Sequence, residues 1–322
     1  MRTVITLAGV AAVVAACASK SGGMGHAPPG PEVNIDSPAF HEVDAGLPPM
    51  NHYWKRPFLW RIERTPPSYV FATIEGDERM TPLLPSISKA FDGSQAVFTE
   101  VARDAWKGQT AKLALPHGKS LKTELPADLV KRVNAALRKQ GDPPAAFAHS
   151  KLWWLSLHFE TFHEHAQTAT LEAHIYTEAS DSGKAVGGIL SPEEVIAWFD
   201  GMTRAEQVQL LRESLANVEA NKVKEVGSEE PYIEPFLAGD DAAMQAVIDH
   251  AADFMTRADA AIQKHNGASF AAALSDKIVA TLDAAPTRSH FFLVWAPHAL
   301  GDRGVVGELG KRNVKLTRLG AE

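Results

Sequence analysis

Three side chains that could carry chemistry follow predicted strands: Glu75, Glu100 and His298. Each lies at or just past the end of an apolar run that is typical of a buried strand. The carboxyl ends of such strands are where α/β proteins usually keep their chemistry. Acids and a histidine at these positions are candidates for catalysis, although the same groups can also hydrogen-bond to neighbouring loops. We expect Glu75, Glu100 and His298 to converge on one end of a single sheet.

Two apolar runs around a Pro-Pro pair position the first of these residues. The runs Phe58–Ile62 and Tyr69–Ile74 flank Pro66-Pro67, a pattern that predicts a β-hairpin. The second run is almost continuous in apolar and β-branched residues, as in a strand buried on both faces, and it ends where the acidic Glu75 begins. Three further strands are expected, one ending near Glu100, one over Gly183–Leu190 and one running from His290 to Trp295.

The first of these segments resembles a known family. The run FLWRIERTPPSYVFATIEG is similar to the opening of the TraB/GumN family, and most of all to its TIKI branch of metal-dependent proteases that act on Wnt. Near the C-terminus, HFFLVWAPH at 290–298 and the run Val314–Leu319 resemble the closing strands of that family. Glu172, Gly183-Lys184 and Pro192-Glu193-Glu194 fall in the order of its middle segment. The resemblance covers about residues 55 to 320.

The resemblance implies a fold, an activity and a metal. The family places acids near two glycine-histidine motifs, which bind a divalent metal and activate water. By analogy, Glu75, Glu100 and His298 are expected to be both the metal ligands and the catalytic residues of a metal-dependent peptidase or hydrolase. Such a metal supplies a low-pKa water and polarises the scissile carbonyl, so that no cysteine or serine nucleophile is needed. The implied fold is α/β, a mostly parallel central sheet with an N-terminal β-hairpin and a large helical insertion.

The chain departs from the family pattern at the ligand positions themselves. The family's first motif, Gly-Thr-Ile-His, is Ala72-Thr-Ile-Glu75 here, and its second is Trp295-Ala-Pro-His298. A carboxylate in place of an imidazole shifts the preference toward Mn²⁺, Mg²⁺ or Ca²⁺. We expect a divalent metal such as manganese or cobalt as the cofactor.

Other departures alter the space around the site. Trp295 brings a side chain of about 200 Å² to a glycine position, and Pro297 removes a backbone donor. The family's Gly-Leu-Glu-Thr segment is Gly188-Ile-Leu-Ser191, and its Arg-Asn pair falls near Phe270-Ala271. A second reading therefore stays open: a catalytically inactive family member that uses the altered cleft to bind a peptide or another ligand. Metal content discriminates between the two readings.

The segments between the strands predict helices. One is expected over Pro126–Gly141, two begin at capping signals in Ser191–Glu194 and Thr203–Glu206, and an alanine-rich helical region at 240–283 breaks near Asn266-Gly267. Strand-like runs separated by helices indicate an α/β protein with a mostly parallel sheet and a large helical insertion.

Histidines in one predicted helix offer a competing set of ligands. The helical spacing of Ser150–Gln167 places Trp154, His158, Phe162 and His165 on one face. Two of these residues could be ligands, but aromatic stripes at this spacing usually belong to a core, and histidines beside them are usually satisfied there. The interpretation as core or surface residues is favoured.

The N-terminus carries a targeting signal. Met1-Arg2 precedes an apolar run, Val4–Ala16, that ends in Val14-Ala-Ala-Cys17, as in a bacterial lipoprotein signal. The run is shorter than the roughly 20 residues of a membrane span. Residues 1–17 are thus predicted to be a signal peptide with lipidation at Cys17, the alternative being an ordinary secretory signal with an incidental cysteine. Because Ala18 follows, we expect the outer membrane of the cell envelope, facing the periplasm or the cell surface.

The composition of the chain limits its domain organisation and its classes of partner. Residues 18–50 are rich in Ser, Gly and Pro and predict a flexible tether, whereas 51–322 suit one large domain. The net charge is −7 and basic residues are scattered, which argues against nucleic acid as a partner. The single cysteine leaves the mature chain no intramolecular disulfide and no thiolate nucleophile. The expected partners are a membrane, through the anchor, and a peptide or protein substrate.

Overall fold

A six-stranded sheet organises the chain. The computed structural model describes residues 54–74, 80, 83–161, 171–219, 230–251 and 253–320. Its strands are β1 (Leu59–Ile62), β2 (Ser68–Thr73), β3 (Ala96–Val101), β4 (Ala185–Leu190), β5 (His290–Trp295) and β6 (Leu316–Arg318). Their order across the sheet is β4-β3-β5-β2-β1-β6. The predicted α/β class is confirmed.

The sheet is mostly parallel. β3 pairs in parallel with both β4 and β5, and β5 pairs in parallel with β2. β1 runs antiparallel to its neighbours β2 and β6. The carboxyl ends of β2, β3, β4 and β5 therefore meet at one edge of the sheet, where the sequence places its candidate residues.

The predicted hairpin is confirmed. β1 and β2 pair antiparallel from Leu59 opposite Phe71 to Ile62 opposite Ser68, and the Pro66-Pro67 turn joins them. β2 is buried along nearly its whole length, because β5 covers its other edge and helices pack on the faces of the sheet. The strand ends at Thr73, one residue before the predicted end.

Helices fill the connections between the strands. In chain order they are α1 (Pro85–Asp92), α2 (Leu121–Glu124), α3 (Ala127–Lys139), α4 (Leu152–Thr161), α5 (Leu171–Asp181), α6 (Pro192–Asp200), α7 (Arg204–Glu219), α8 (Glu230–Ala238), α9 (Asp241–Ala251), α10 (Asp253–Asn266), α11 (Phe270–Ala284), α12 (Ala296–Ala299) and α13 (Val305–Lys311). Most of them fall in two blocks, α2–α5 between β3 and β4 and α6–α11 between β4 and β5, where the sequence predicts one large insertion.

The predicted helix boundaries rest on identifiable caps. Ser191 and Glu194 form a reciprocal capping box at the start of α6, and Thr203 and Glu206 exchange the same bonds before α7. The break in the alanine-rich region lies at Gly267, whose positive φ of 77° separates α10 from α11.

The helices build a second core beside the main one. The main core surrounds the sheet, and a smaller core is formed by apolar residues of α2, α3, α4 and α7. α4 joins the two cores, since its opposite sides carry Trp153, Trp154 and Leu157 and, on the other, Leu152, Leu155 and Phe159. Within the described ranges, none of the helices combines the length and the apolar character needed to cross a membrane.

Candidate functional site

Glu100 and His298 meet at the carboxyl edge of the sheet. β3 and β5 are parallel neighbours, paired from Ala96 opposite His290 to Phe98 opposite Phe292, so the residues at their carboxyl ends come together. His298 Nδ1 lies 2.8 Å from Glu100 Oε1. Both side chains are buried, Glu100 with 1% and His298 with 6% of its surface exposed.

A tight connection after β5 aims the imidazole at the carboxylate. Trp295 has an extended backbone and caps the one-turn helix α12, which carries His298. Pro297 stands in the first turn of α12, where its missing N–H costs no helical hydrogen bond. The backbone N–H of Trp295 donates to Glu100 Oε1 at 3.0 Å. One carboxylate oxygen thus accepts two donors from the segment that holds His298.

These contacts define the tautomer of His298. A carboxylate only accepts hydrogen bonds, so the Nδ1 atom that faces Glu100 must carry the proton. A neutral imidazole then has its lone pair on Nε2. The same arrangement, in which a carboxylate orients a histidine through one nitrogen and frees the other, is common behind metal-bound histidines.

Two buried atoms of the pair have no hydrogen-bond partner among the described residues: Glu100 Oε2 and His298 Nε2. Buried polar atoms are nearly always paired, by protein, water or an ion. One is a carboxylate oxygen and the other an imidazole nitrogen, and this donor chemistry fits a divalent cation. The pair therefore fits a metal by donor type, with two of the ligands that such a site needs.

The third predicted ligand, Glu75, lies outside the described residues, as do residues 76–79. β2, the strand that precedes Glu75, ends at the same edge of the sheet as β5, because its last residue, Thr73, pairs with Trp295. The described part of the chain contains no group of three His, Cys, Asp or Glu side chains that could hold a metal ion.

Aromatic rings enclose the imidazole. The ring of Phe270, the first residue of α11, lies 4.6 Å from that of His298, and Trp295 stands perpendicular to His298 at 5.1 Å. Trp198 on α6 packs edge-on against Phe270 at 5.6 Å. The contribution of Phe270 was not foreseen as part of the site; its only sequence signal is its place near the family's Arg-Asn pair.

The competing histidine in α4 belongs to the core. His158 Nε2 lies 2.8 Å from Asp142 Oδ2, and its ring packs 4.5 Å from Phe147. It is 2% exposed, which supports the favoured interpretation of His158 as a satisfied core residue. Phe162 and His165 lie outside the described residues, and so does Cys17.

The acids of the middle segment stabilise helices. Glu194 closes the capping box of α6 and pairs with Lys277, and Glu193 accepts from Lys112 and Gln109 at the surface. Within the described part of the chain, neither glutamate has a hydrogen bond or an ion pair with Glu100 or His298.

Comparison with known proteins identifies the family. The model of the TraB/PrgY/gumN family matches residues 58–318, from the first strand to the last. The chain belongs to the TraB/PrgY/gumN family. The matched range includes both residues of the buried pair, Glu100 and His298.

A curated relative matches a smaller part of the chain. A metalloprotease TIKI homologue of Nematostella vectensis is 37% identical over 86 residues, which is 25% of this chain and 18% of that protein. The chain thus matches less than a fifth of the length of that relative. No solved structure matches the chain.

Proposed function

We propose that this chain is a lipid-anchored hydrolase of the cell envelope, with a divalent cation at the Glu100–His298 pair and peptides as its substrates. The family membership and the similarity to a protein named a metalloprotease support the reaction class. The apolar run that ends at Cys17 supports the anchor and the location.

One observation carries the proposal: His298 is held by Glu100 through Nδ1, while its Nε2 is buried without a partner among the described residues. Leaving a buried polar atom unpaired costs about 1–3 kcal/mol. A ligand at Nε2 would remove that cost.

Each residue of the pair has a defined part. His298 would bind the cation through Nε2, and Glu75 would supply an oxygen ligand. Glu100 keeps the proton on Nδ1 and fixes the plane of the imidazole, so it acts as a positioning residue through Oε1 while Oε2 remains a possible further ligand. When bound, the cation supplies a low-pKa water and polarises a scissile carbonyl. The surrounding rings of Phe270 and Trp295 exclude bulk water from the imidazole.

The test is cleavage of a mixed peptide library by the chain purified without chelator. We expect cleavage that EDTA abolishes, that Mn²⁺ or Co²⁺ restores, and that His298→Ala eliminates. His174→Ala is the matched control, because His174 is about half exposed and lies far from the pair in sequence. Equal cleavage by His298→Ala and the wild type would exclude this site.

A second candidate function has its own observation. Phe270 and Trp295 both pack against His298, and an imidazole enclosed in this way suits a non-catalytic member that binds a peptide or another ligand at the altered cleft. This reading predicts no cleavage by the wild type and a metal site regained in the triple variant Glu75→His, Trp295→Gly and Pro297→Gly.

The triple variant needs a check of folding before its metal content is interpreted. Trp295 is only 3% exposed and belongs to the main core. Removing a large core side chain costs about 3–5 kcal/mol. A folded triple variant that binds Mn²⁺ or Co²⁺ when the wild type does not would favour the second candidate.

A further inference from the structure

The two edges of the sheet differ in how they are protected. β6, at one edge, is three residues long, contains Arg318 and follows Lys315. Short strands and basic residues are the usual means by which proteins prevent pairing at a sheet edge. β4, at the other edge, is six residues long and its sequence, AVGGIL, has no charged residue and no proline. Lys184 precedes β4, but its ammonium donates to the carbonyls of Asp92 and Ser94, so only β6 carries a charge within the strand itself.

The first four residues of β4 form an open edge, Ala185–Gly188. They are exposed or partly exposed, whereas Ile189 and Leu190 are buried. Val186 is the one large apolar side chain that is exposed in the described part of the chain, at 36%. Open main chain and an exposed apolar side chain therefore coincide on the same strand.

The hydrogen bonds of β4 show which of its groups point outward. The N–H of Ala185 donates to Gln95 O, beside β3. Residues of a strand alternate in the edge to which their N–H and C=O groups point, so Gly187 also faces β3 and the main-chain groups of Val186 and Gly188 face away. No hydrogen bond joins Val186 or Gly188 on that side to another described residue.

We propose that the open edge Ala185–Gly188 binds an extended, uncharged segment of a polypeptide substrate by strand addition. In this mode main-chain hydrogen bonds provide the affinity, and pockets for alternate side chains provide selectivity. Because Gly187 has no side chain, the half-buried ring of Phe98 reaches within 2.9 Å of where its Cβ would stand. The ring offers an apolar surface for a side chain of the added strand.

The position of the edge favours a substrate as the occupant. Gly188 pairs with Thr99 and Leu190 with Val101, so Glu100 lies on the strand next to the edge. Strands are about 4.8 Å apart, and a peptide on β4 would run roughly 10 Å from the main chain that carries Glu100. The choice of a polypeptide rests on the proposed function, and the carboxyl end of the open edge, Gly188, pairs with Thr99, one residue before Glu100.

A second copy of the chain suits the edge less well. Four residues of strand extend for about 13 Å, whereas a stable interface buries about 800 Å² on each partner. The open edge alone is too short for that area, but it matches the length of main chain that a peptide adds to a sheet edge.

The test is amide hydrogen exchange of the full chain with a β-prone octapeptide of alternating valine and threonine. We expect the amides of Val186 and Gly188 to slow by about tenfold or more, and those of Ala185 and Gly187, already bonded toward β3, to change little. The same peptide N-methylated at every second residue should give no protection. Equal protection by both peptides, or none by either, overturns the proposal.

Variants test the same edge from the side of the protein. Val186→Pro removes an outward N–H without removing a bond to β3 and should abolish binding, whereas the control Val186→Thr keeps the N–H and should bind as the wild type does. The comparison of the methylated with the unmethylated peptide uses wild-type protein, so that misfolding of a variant cannot decide whether the proposal holds. Protection that appears without peptide and rises with protein concentration, together with a dimer by light scattering, would assign the edge to a second copy and overturn the proposal.

The outcome is separable from that of the proposed function. The exchange experiment is run with EDTA and is repeated with His298→Ala, and binding at β4 should persist in both. Peptide protection in a chain that binds no cation would contradict the proposed hydrolase alone. Metal-dependent cleavage without protection at Val186 and Gly188 would contradict strand addition alone.

Discussion

At the scale of single residues, the candidate site is defined by the hydrogen bonds that Glu100 and His298 make and by the polar atoms they leave without a partner. Glu100 Oε1 accepts from both His298 and the backbone of Trp295, whereas Glu100 Oε2 and His298 Nε2 contact no hydrogen-bond partner in the described ranges. Buried carboxylate oxygens and imidazole nitrogens usually have a partner in protein, water or an ion. The arrangement therefore fits the cation that the proposed function places at this pair.

His290, at the other end of β5, is a second buried histidine of the same strand region. It is 1% exposed and stacks on Phe292 at 5.7 Å. Burial, assisted by the positive charges of Arg64 and Arg288, lowers the pKa of His290 below its ordinary value of 6.5. The native state therefore binds a proton at His290 less readily than the unfolded chain does.

We predict that this histidine makes the protein less stable in mild acid. A lowered native pKa means that the free energy of unfolding decreases as the pH falls below about 6.5, by at most about 1.4 kcal/mol per pH unit. His290→Phe preserves the aromatic stack and should remove that decrease. Urea unfolding of both proteins between about pH 7.5 and pH 5.5 measures it, with the exposed His174→Ala as control. A pH dependence that is equal in wild type and His290→Phe would contradict the argument.

At the scale of elements, Glu206 joins two helices. Its carboxylate accepts from Thr203 N at 2.7 Å and Thr203 Oγ1 at 2.8 Å, before α7. It also contacts Lys264 and His265, each at 2.8 Å, in the last turn of α10. These hydrogen bonds, with that from Lys264 the strongest, hold the pKa of Glu206 far below its ordinary value of 4.5.

Glu206→Ala should destabilise the fold by about 1–2 kcal/mol at neutral pH, since it removes a helix cap and the contacts to α10. The native pKa of Glu206 is lowered, so its stabilisation is complete above the unfolded value and is lost as the pH falls below about 4.5. The difference between variant and wild type should shrink between pH 7 and about pH 3.5. Urea midpoints at both pH values test this, and Glu178→Ala, at an exposed position of α5, serves as control. A difference that stays constant with pH would show that the charge is not involved.

Local signals in the sequence predicted the elements well. The hairpin, β3, β5 and the caps at Ser191 and Thr203 were found because alternation, turn residues and capping pairs act over a few neighbours. β4 was expected over Gly183–Leu190 and begins two residues later, at Ala185. The split of the helices into two blocks depends on where β4 enters the sheet, a long-range pairing that local patterns do not encode.

The site itself was predictable only in part. Glu100 and His298 were identified as strand-end residues, and the parallel pairing of β3 with β5 brings them together. The backbone donor of Trp295 and the packing of Phe270 depend on how α11 and α12 fold back over the sheet. Neither feature has a periodicity or a motif, and so the sequence gives no physical reason to expect them.

At the scale of the whole molecule, we expect a lipid on the N-terminal cysteine to anchor the TraB/PrgY/gumN domain to the membrane. The Val14-Ala-Ala-Cys17 signal predicts that the mature chain begins at a lipid-modified Cys17. Expression of the full-length protein in a bacterium should give a species that partitions into detergent and carries the acyl mass at its N-terminus. Cys17→Ala should leave it in the aqueous phase. An unmodified Cys17, or cleavage elsewhere, would contradict the anchor.

The central claim is that His298, oriented by Glu100, binds a divalent cation, and the metal content of the purified protein tests it most directly. Elemental analysis is made on wild type, His298→Ala, Glu100→Gln and the control His174→Ala, each saturated with Mn²⁺ and then freed of unbound metal. The wild type and His174→Ala should retain about one equivalent and His298→Ala none, while Glu100→Gln should bind about 10–100-fold more weakly because the imidazole loses its orienting partner. A wild type without stoichiometric metal, or a His298→Ala variant that retains it in full, would contradict the account.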